Sequence, residues 1–472
     1  MRMKYLIIAL AICTSLSVYS QQYPGIAASV HQSALSIQNN PAASVRSNHT
    51  WDMQIIGLQA AFNTNVIKFR NFNLFSKLSD TIFYDIKEGR YQPKLYANGA
   101  FDIFSLRIGI KNHSAIAFCS RIRNYSFGTM GNIHVVDTVD GINGFFRTNA
   151  ATPFLEGAVS HNTFTEQAVN YSTIVLKQDD VEITVGLTAK LWHGLAGANT
   201  QIQRIYSQQE QTGSGTRYRL VSGSGSLAYS NTIDPFLNTK LSTNEQVKQF
   251  VNNTTATVGG DIGFEIVKKW YGTNDDDPQE YYNYKLGVAI MDIGNVKYNH
   301  SVNSFRFNGF ASNIYDTSLQ HIINNVNTIE QFKDSVSAIA NTTTPTGTFA
   351  MRMPTRLQIN LDKYLAPHVY VNAQASLPLT RLGMAWNHAA FTSWLHVTPR
   401  YERKNIGVYL PTQLTHGGNV WVGLGVKIGP LIMGMHNVGW LFSKNAFPNG
   451  GGYFTFIIKG KRKDIDTGVP CP

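Results

Sequence analysis

Apolar and polar residues alternate with a period of two along residues 101–125. Phe104, Leu106, Ile108 and Ile110 fall on one face; Ser105, Arg107, Gly109 and Lys111 fall on the other. After a turn at Asn112 and His113, Ile116, Phe118 and Ile122 share a face, and Ala117, Cys119, Arg121 and Arg123 share the opposite one. Side chains of a strand alternate in this way, so the stretch predicts an antiparallel hairpin with one apolar face and one arginine-bearing face. Two solvents fit it. A soluble sandwich would hide the apolar face in a core, whereas a membrane barrel would turn it to lipid and hold the arginines in its lumen.

The same period recurs along most of the chain. A first strand is predicted over 52–62, with Ile56, Leu58, Ala60 and Phe62 on one face. A hairpin over 171–192 sets Val181, Ile183, Val185, Leu187, Ala189 and Leu191 against Glu182, Thr184, Gly186, Thr188, Lys190 and Trp192. Weaker strands follow at 199–208 and 216–230. Clearer ones lie at 256–268, 284–298, 355–364, 368–377, 392–402, 405–412, 419–429, 430–437 and 452–459. Helical spacing appears in two long connections, at 242–251 and 328–340, each opened by a capping pair, Ser242 with Glu245 and Thr328 with Gln331. Short connections (111–114, 178–180, 209–215, 365–367, 403–404, 429–430) alternate with long ones (126–169, 231–255, 299–354, 378–391, 438–451), with 269–283 the one long exception at the short-turn end. Short turns at one end and long loops at the other are the habit of outer-membrane barrels. The reading is therefore an all-β transmembrane antiparallel barrel of about 14–16 strands spanning residues 51–460, with long extracellular loops.

The N-terminus and the composition point the same way. Arg2 and Lys4 precede the apolar run YLIIALAICTSLSV, the form of a secretory signal peptide over residues 1–20. Charged residues make up 15% of the 472, well below the roughly 25% of ordinary soluble domains, while aromatics reach 12%. A lipid-facing wall needs few charges and girdle aromatics. The net charge of +11 comes with one basic run, KGKRK at 459–463, so the scattered cations argue for lumen and headgroup contact and against nucleic acid. Cys13, Cys119 and Cys471 are far apart and set up neither a disulfide framework nor a metal site. Asp275, Asp276 and Asp277 lack the spaced ligands of a calcium loop and read as a solvated turn.

Residues 21–50 carry small residues followed by Asn40-Pro41-Ala42, and a short polar tail closes the chain at 461–472. Together with LTAKLWHGLAGA at 187–198, YKLGVAIMDIGNVKY at 284–298 and VTPRYERKNIGVYLP at 397–411, this order of blocks resembles an uncharacterised family of Bacteroidota outer-membrane barrels, distantly similar to FadL-like and PorV-like proteins. The resemblance implies the outer membrane of a Gram-negative bacterium and contact with its lipid. It also implies a lumen plug at 21–50 and passage or binding of a hydrophobic or amphiphilic small molecule. It carries over no catalytic residue.

No G-x-S-x-G or H-E-x-x-H motif occurs, and the 13 histidines are dispersed. No enzyme activity and no cofactor or metal is expected. The candidate chemistry lies instead in charges at lumen-phase positions: Arg107, Arg121, Arg123, Lys190, Arg356 and Arg400, with Asp261, Glu265, Asp362 and Glu402. They either brace the wall as an ion-pair network or make an electropositive path for anionic solutes. A competing function is a structural or secretion-accessory barrel that meets a protein partner through loops 126–169 and 299–354.

Overall fold

The computed structural model describes residues 23–29, 33–47, 49–70, 83–111, 113–178, 180–213, 215–238, 240–269, 282–379, 393–415, 420–442 and 447–461. The expected leader at 1–20, the Asp275–Asp277 turn and the end of the polar tail lie outside the described residues.

Long alternating runs build a single closed sheet of 14 antiparallel strands. The first half comprises β1 (Trp51–Thr64), β2 (Lys94–Ile110), β3 (Ser114–Met130), β4 (Leu155–Gln178), β5 (Val181–Thr212), β6 (Thr255–Lys269) and β7 (Tyr282–Asn299). The second half comprises β8 (Arg356–Ala366), β9 (Val369–Pro378), β10 (Trp394–Glu402), β11 (Ile406–Tyr409 and Thr412–Thr415), β12 (Val420–Val422 and Leu424–Ile428), β13 (Leu431–Met435) and β14 (Asn449–Lys459). β14 pairs back onto β1 from Asp52↔Lys459 to Asn63↔Asn449, which closes the barrel. Closure pairs the backbone groups that lipid could not satisfy.

The two faces of the wall decide its solvent. Phe104, Ile108, Phe118, Val169, Val185, Ile262, Leu361 and Leu395 are exposed on the outside, with Leu187 at 59%. Arg107, Arg123, Glu166, Lys190, Asp362 and Arg400 point inward and are buried. A soluble sandwich has the reverse arrangement; an apolar outside around a polar inside is that of an outer-membrane barrel. No described helix is long and apolar enough to cross a membrane.

The connections alternate between short turns at one end and long segments at the other. Thr50 N–H donates to Lys461 O at 2.9 Å, so the chain enters and leaves the barrel at the short-turn end. Two expectations need correction. The strands expected at 199–208 and 216–230 do not both add to the wall. The first is the continuation of β5, and the second, Gly215–Tyr229, pairs with it and with Phe305–Phe310 beyond the point where β6 leaves β5. The connection expected at 126–169 is shorter, because β3 runs to Met130 and β4 starts at Leu155. Thr163, Thr165 and Gln167 stand between the inward polar residues there, which weakens the hydrophobic contrast that period-two reading depends on. The long-loop end carries helices at Gly141–Thr148, Thr243–Asn253, Asp316–Asn325 and Ile329–Ile339. Phe146 stacks on Tyr218 at 5.7 Å there, within an apolar cluster that includes Ile133, Leu155, Ile205 and Leu220.

Candidate functional site in the barrel interior

Neighbouring strands bring inward charges to one level of the lumen. Arg121 and Arg123 on β3 face Glu166 on β4, with Arg121 Nε to Glu166 Oε1 at 2.7 Å and Arg123 Nη1 to Oε2 at 2.6 Å. Arg123 also grips Asp292 with both terminal nitrogens, each at 2.7 Å. Lys190 on β5 reaches Asp261 on β6 and Asp292 on β7, both at 2.7 Å, and Arg356 on β8 completes the shell of Asp292. Trp192 Nε1–H donates to Glu166 Oε2 at 2.9 Å. Arg123, Glu166 and Asp292 are 0% exposed at the side chain. Isolated charges could not be held there, so mutual pairing is what permits their burial.

A bulge makes the cluster possible. Gly260 pairs with Ile293 and Ile262 with Ile290, so Met291 and Asp292 together oppose Asp261. Asp292 adopts φ 58°, and its N–H donates to Asp261 Oδ1 at 2.7 Å. The extra residue turns Asp292 from the lipid phase of Val288 and Ile290 into the lumen.

A second group lies nearer the short-turn end. Arg400 on β10 binds Asp362 on β8 at 2.6 and 2.8 Å and receives Glu402 at 3.3 Å from Nε. Lys285 on β7 approaches Asp362 at 3.4 Å, and Lys427 on β12 approaches Glu402 at 3.3 Å. Tyr409 O–H donates to Glu402 at 2.8 Å.

The N-terminal segment rests on this floor. Tyr23, Ile26, Ala34, Leu35, Ala42, Ser44 and Val45 are buried against the inner wall. Its polar groups bond to several strands. Tyr23 O–H donates to Asp102 at 3.0 Å, Ser29 O–H to Glu402 at 2.8 Å, and Ser44 O–H to Asn170 at 2.7 Å. Arg46 pairs with Glu182 and, at 3.2 Å, with Glu265. Arg107 donates to Ser44 O at 2.8 Å and lies 3.7 Å from Asp52. Asn40 caps the turn Pro41–Arg46 by accepting from Ala42 N–H at 3.0 Å, and its amide donates to Phe264 O at 3.1 Å. The wall is cut back where Pro41 passes: a Cβ on Gly186 would come 2.3 Å from Pro41 C, and one on Gly263 would come 2.1 Å from Asn40 Oδ1. These glycines serve close backbone approach rather than a turn.

Every charge singled out from the sequence (Arg107, Arg121, Arg123, Lys190, Asp261, Glu265, Arg356, Asp362, Arg400 and Glu402) lies buried at an inward position. They do not form one site. Arg121, Arg123, Lys190, Asp261 and Arg356 meet in the first cluster, Asp362, Arg400 and Glu402 in the second, and Arg107 and Glu265 contact the N-terminal segment. Sequence reasoning missed Glu166, which fell in a stretch read as loop, and Asp292, whose phase the bulge inverts. Outward of the first cluster, Tyr125, Phe164, Trp192, Val296, Tyr298, Met351, Met353 and Trp394 form a buried apolar cluster inside the lumen.

Three solved structures illustrate the general likeness. The toluene transporter TbuX of Ralstonia pickettii shares 9% identity, covering 94% of this chain and 98% of its own, with a TM-score of 0.40. A TodX deletion mutant, titled a monoaromatic hydrocarbon channel, shares 10% identity over 94% and 96%, TM-score 0.40. A FadL homologue of Pseudomonas aeruginosa shares 10% over 93% and 95%, TM-score 0.38. No curated protein matches the chain in sequence. The model of a protein family described as "Family of unknown function (DUF5723)" matches residues 41–435, which takes in Pro41 at the docked turn and thirteen of the barrel strands; the chain belongs to that family.

Proposed function

We propose that the chain resides in the outer membrane of a Gram-negative bacterium and binds or passes hydrophobic or amphiphilic small molecules, with the segment before β1 serving as a lumen plug. The observation that carries this reading is the apolar cluster of Tyr125, Phe164, Trp192, Tyr298, Met351 and Met353 inside a polar lumen. A wall that needed only ion pairs to hold its shape has no use for such a cluster, whose rings now pack on one another, whereas an apolar ligand could take the place of part of that packing. The described residues of the segment support the plug role, because they pack inside the lumen and bond to several strands through Tyr23, Ser29, Ser44 and Arg46. Deleting residues 21–50 is expected to raise leakage of a small fluorescent dye from vesicles containing the barrel. Unchanged leakage with a folded barrel refutes the plug.

A second reading, an accessory barrel that holds a protein partner, draws on the packed outer layer of Gly141–Thr148, Gly215–Tyr229 and Asp316–Asn325. It predicts a partner that co-purifies with the full chain and is lost when 316–339 is excised.

A further inference from the structure

Two rungs that run across β8 to β12 between the charged groups carry neutral side chains that are short of partners. Gln374, His396, Gln413 and Trp421 sit directly opposite one another across β9, β10, β11 and β12. The adjacent rung joins Gln358, Ser376 and Trp394. All are at least nine-tenths buried. Both ring nitrogens of His396, both amide atoms of Gln358, Gln374 Nε2, Gln413 Oε1 and the indole N–H groups of Trp394 and Trp421 find no hydrogen-bond partner in the protein. Buried polar atoms are ordinarily paired, and a run of unpaired ones along successive rungs, each now closed off by the packing around it, marks a place where the packing would part for something that supplies donors and acceptors.

The surroundings define that ligand. Trp394 belongs to the apolar cluster and also stands edge-on to His396, with ring centroids 4.3 Å apart. An apolar body and a polar head would thus meet at one residue. The neighbouring cations are taken: Arg356 pairs with Asp292, and Arg400 and Lys285 pair with Asp362. Among the described residues a carboxylate head would find no unpaired cation on this rung, whereas a hydroxyl-rich head could both donate and accept. We infer that the belt of Gln358, Gln374, Trp394, His396, Gln413 and Trp421 is the headgroup site for an uncharged, hydroxyl-bearing amphiphile, with its acyl chain against the aromatic and methionine cluster. This rests on the small-molecule reading above and names its ligand class.

The test compares two probes with one acyl chain, monomyristoylglycerol and myristate, each carrying a bromine that quenches tryptophan. Binding is measured on the full chain in phospholipid nanodiscs. The glyceryl ester is expected to bind tighter by on the order of tenfold. That preference should vanish in His396→Leu/Gln413→Leu and in the milder Gln374→Leu, while the lipid-facing Val397→Ala keeps it. Folding of each variant is checked by heat-dependent gel migration, and Gln374→Leu decides if the double variant does not fold. Equal or tighter binding of myristate, or a preference untouched by these substitutions, overturns the headgroup assignment alone. Binding of neither probe overturns the small-molecule reading with it.

Discussion

Asp292→Asn is the most informative perturbation of the interior. The substitution keeps the shape and removes one charge. In the wild type, four cations (Arg121, Arg123, Lys190 and Arg356) face three carboxylates (Glu166, Asp261 and Asp292), a local balance of 4 − 3 = +1. The variant leaves 4 − 2 = +2 in a space closed to water. Two opposite charges about 4 Å apart attract by about 4 kcal/mol at an effective dielectric of about 20. Asp292 makes three such contacts. Its own desolvation and its repulsion by Glu166 and Asp261 offset most of their sum, and removing one member of a buried pair costs about 3–5 kcal/mol by experience. Denaturant unfolding of the barrel in lipid vesicles is the assay, with Asp85→Asn as the control. Asp85 meets Arg70 at 2.9 Å, but both side chains are about half exposed, and such pairs contribute about 0–1 kcal/mol. A loss below about 1 kcal/mol for Asp292→Asn refutes the view that this cluster braces the wall. Adding Arg356→Met should recover part of the loss, because it lowers the excess positive charge of the variant's interior.

Three further outcomes are expected. Leu187→Lys, at an outward mid-strand position 59% exposed, should destabilise the barrel in lipid by about 2–4 kcal/mol, and a change within about 0.5 kcal/mol would mean that this face meets water. Gly263→Val should displace the turn at Pro41, since even a Cβ there comes 2.1 Å from Asn40 Oδ1; protease cleavage within 33–47 should then rise while heat-dependent migration of the barrel stays as in the wild type, and an uncut segment would refute the tight fit. The loop helix Thr243–Asn253 should loosen in acid. Its capping Glu245 is held below the ordinary glutamate value by hydrogen bonds from the Ser242 hydroxyl and N–H. The carboxylate therefore contributes stability that is fully present above the unfolded value near ~4.3 and is lost as pH falls through the lowered folded value. Hydrogen exchange across 246–253 should quicken over that window, and Ser242→Ala should flatten the response.

The barrel was legible in the sequence because lipid enforces a strict alternation. Wherever the outward residues are Ile, Leu, Val and Phe, as along 181–191, phase and strand were both readable. Legibility failed where the contrast faded or the period broke. Glu166 sits among Thr163, Thr165 and Gln167, so nothing in that stretch distinguishes wall from loop. Asp292 follows Val288 and Ile290 by even steps and so reads as lipid-facing; the bulge opposite Asp261 depends on pairing with a partner strand, which a single strand's pattern cannot reveal. The cradle for Asn40 and Pro41 was hidden for a related reason. Gly186 and Gly263 look like ordinary alternation gaps until the strands are set side by side and a second segment is laid across them.

The contrast between the two sides of the lumen carries the functional argument further than either side alone. On β3 to β8 the charged side chains find partners across the rungs, so that side can be understood as a solved packing problem. On the two rungs from Gln358 to Trp421 the side chains are neutral and carry unpaired polar atoms, each at an expected cost of about 1–3 kcal/mol if left so. Replacing Gln413 or His396 by leucine would remove that cost, and nothing about closing a barrel forbids it. Natural chains carry such unfavourable features at functional sites and compensate for them elsewhere. The ion pairs that flank these rungs on the same strands supply that compensation, because they fix the frame of β8 through Arg356 and of β10 through Arg400. Rigid flanks are then the condition for an unsatisfied belt between them. It follows that loosening the frame with Arg400→Met should weaken amphiphile binding even though Arg400 lies four residues along β10 from His396, too far to touch the same headgroup. Unchanged binding in a folded Arg400→Met barrel would show that the belt does not depend on the ion pairs that flank it.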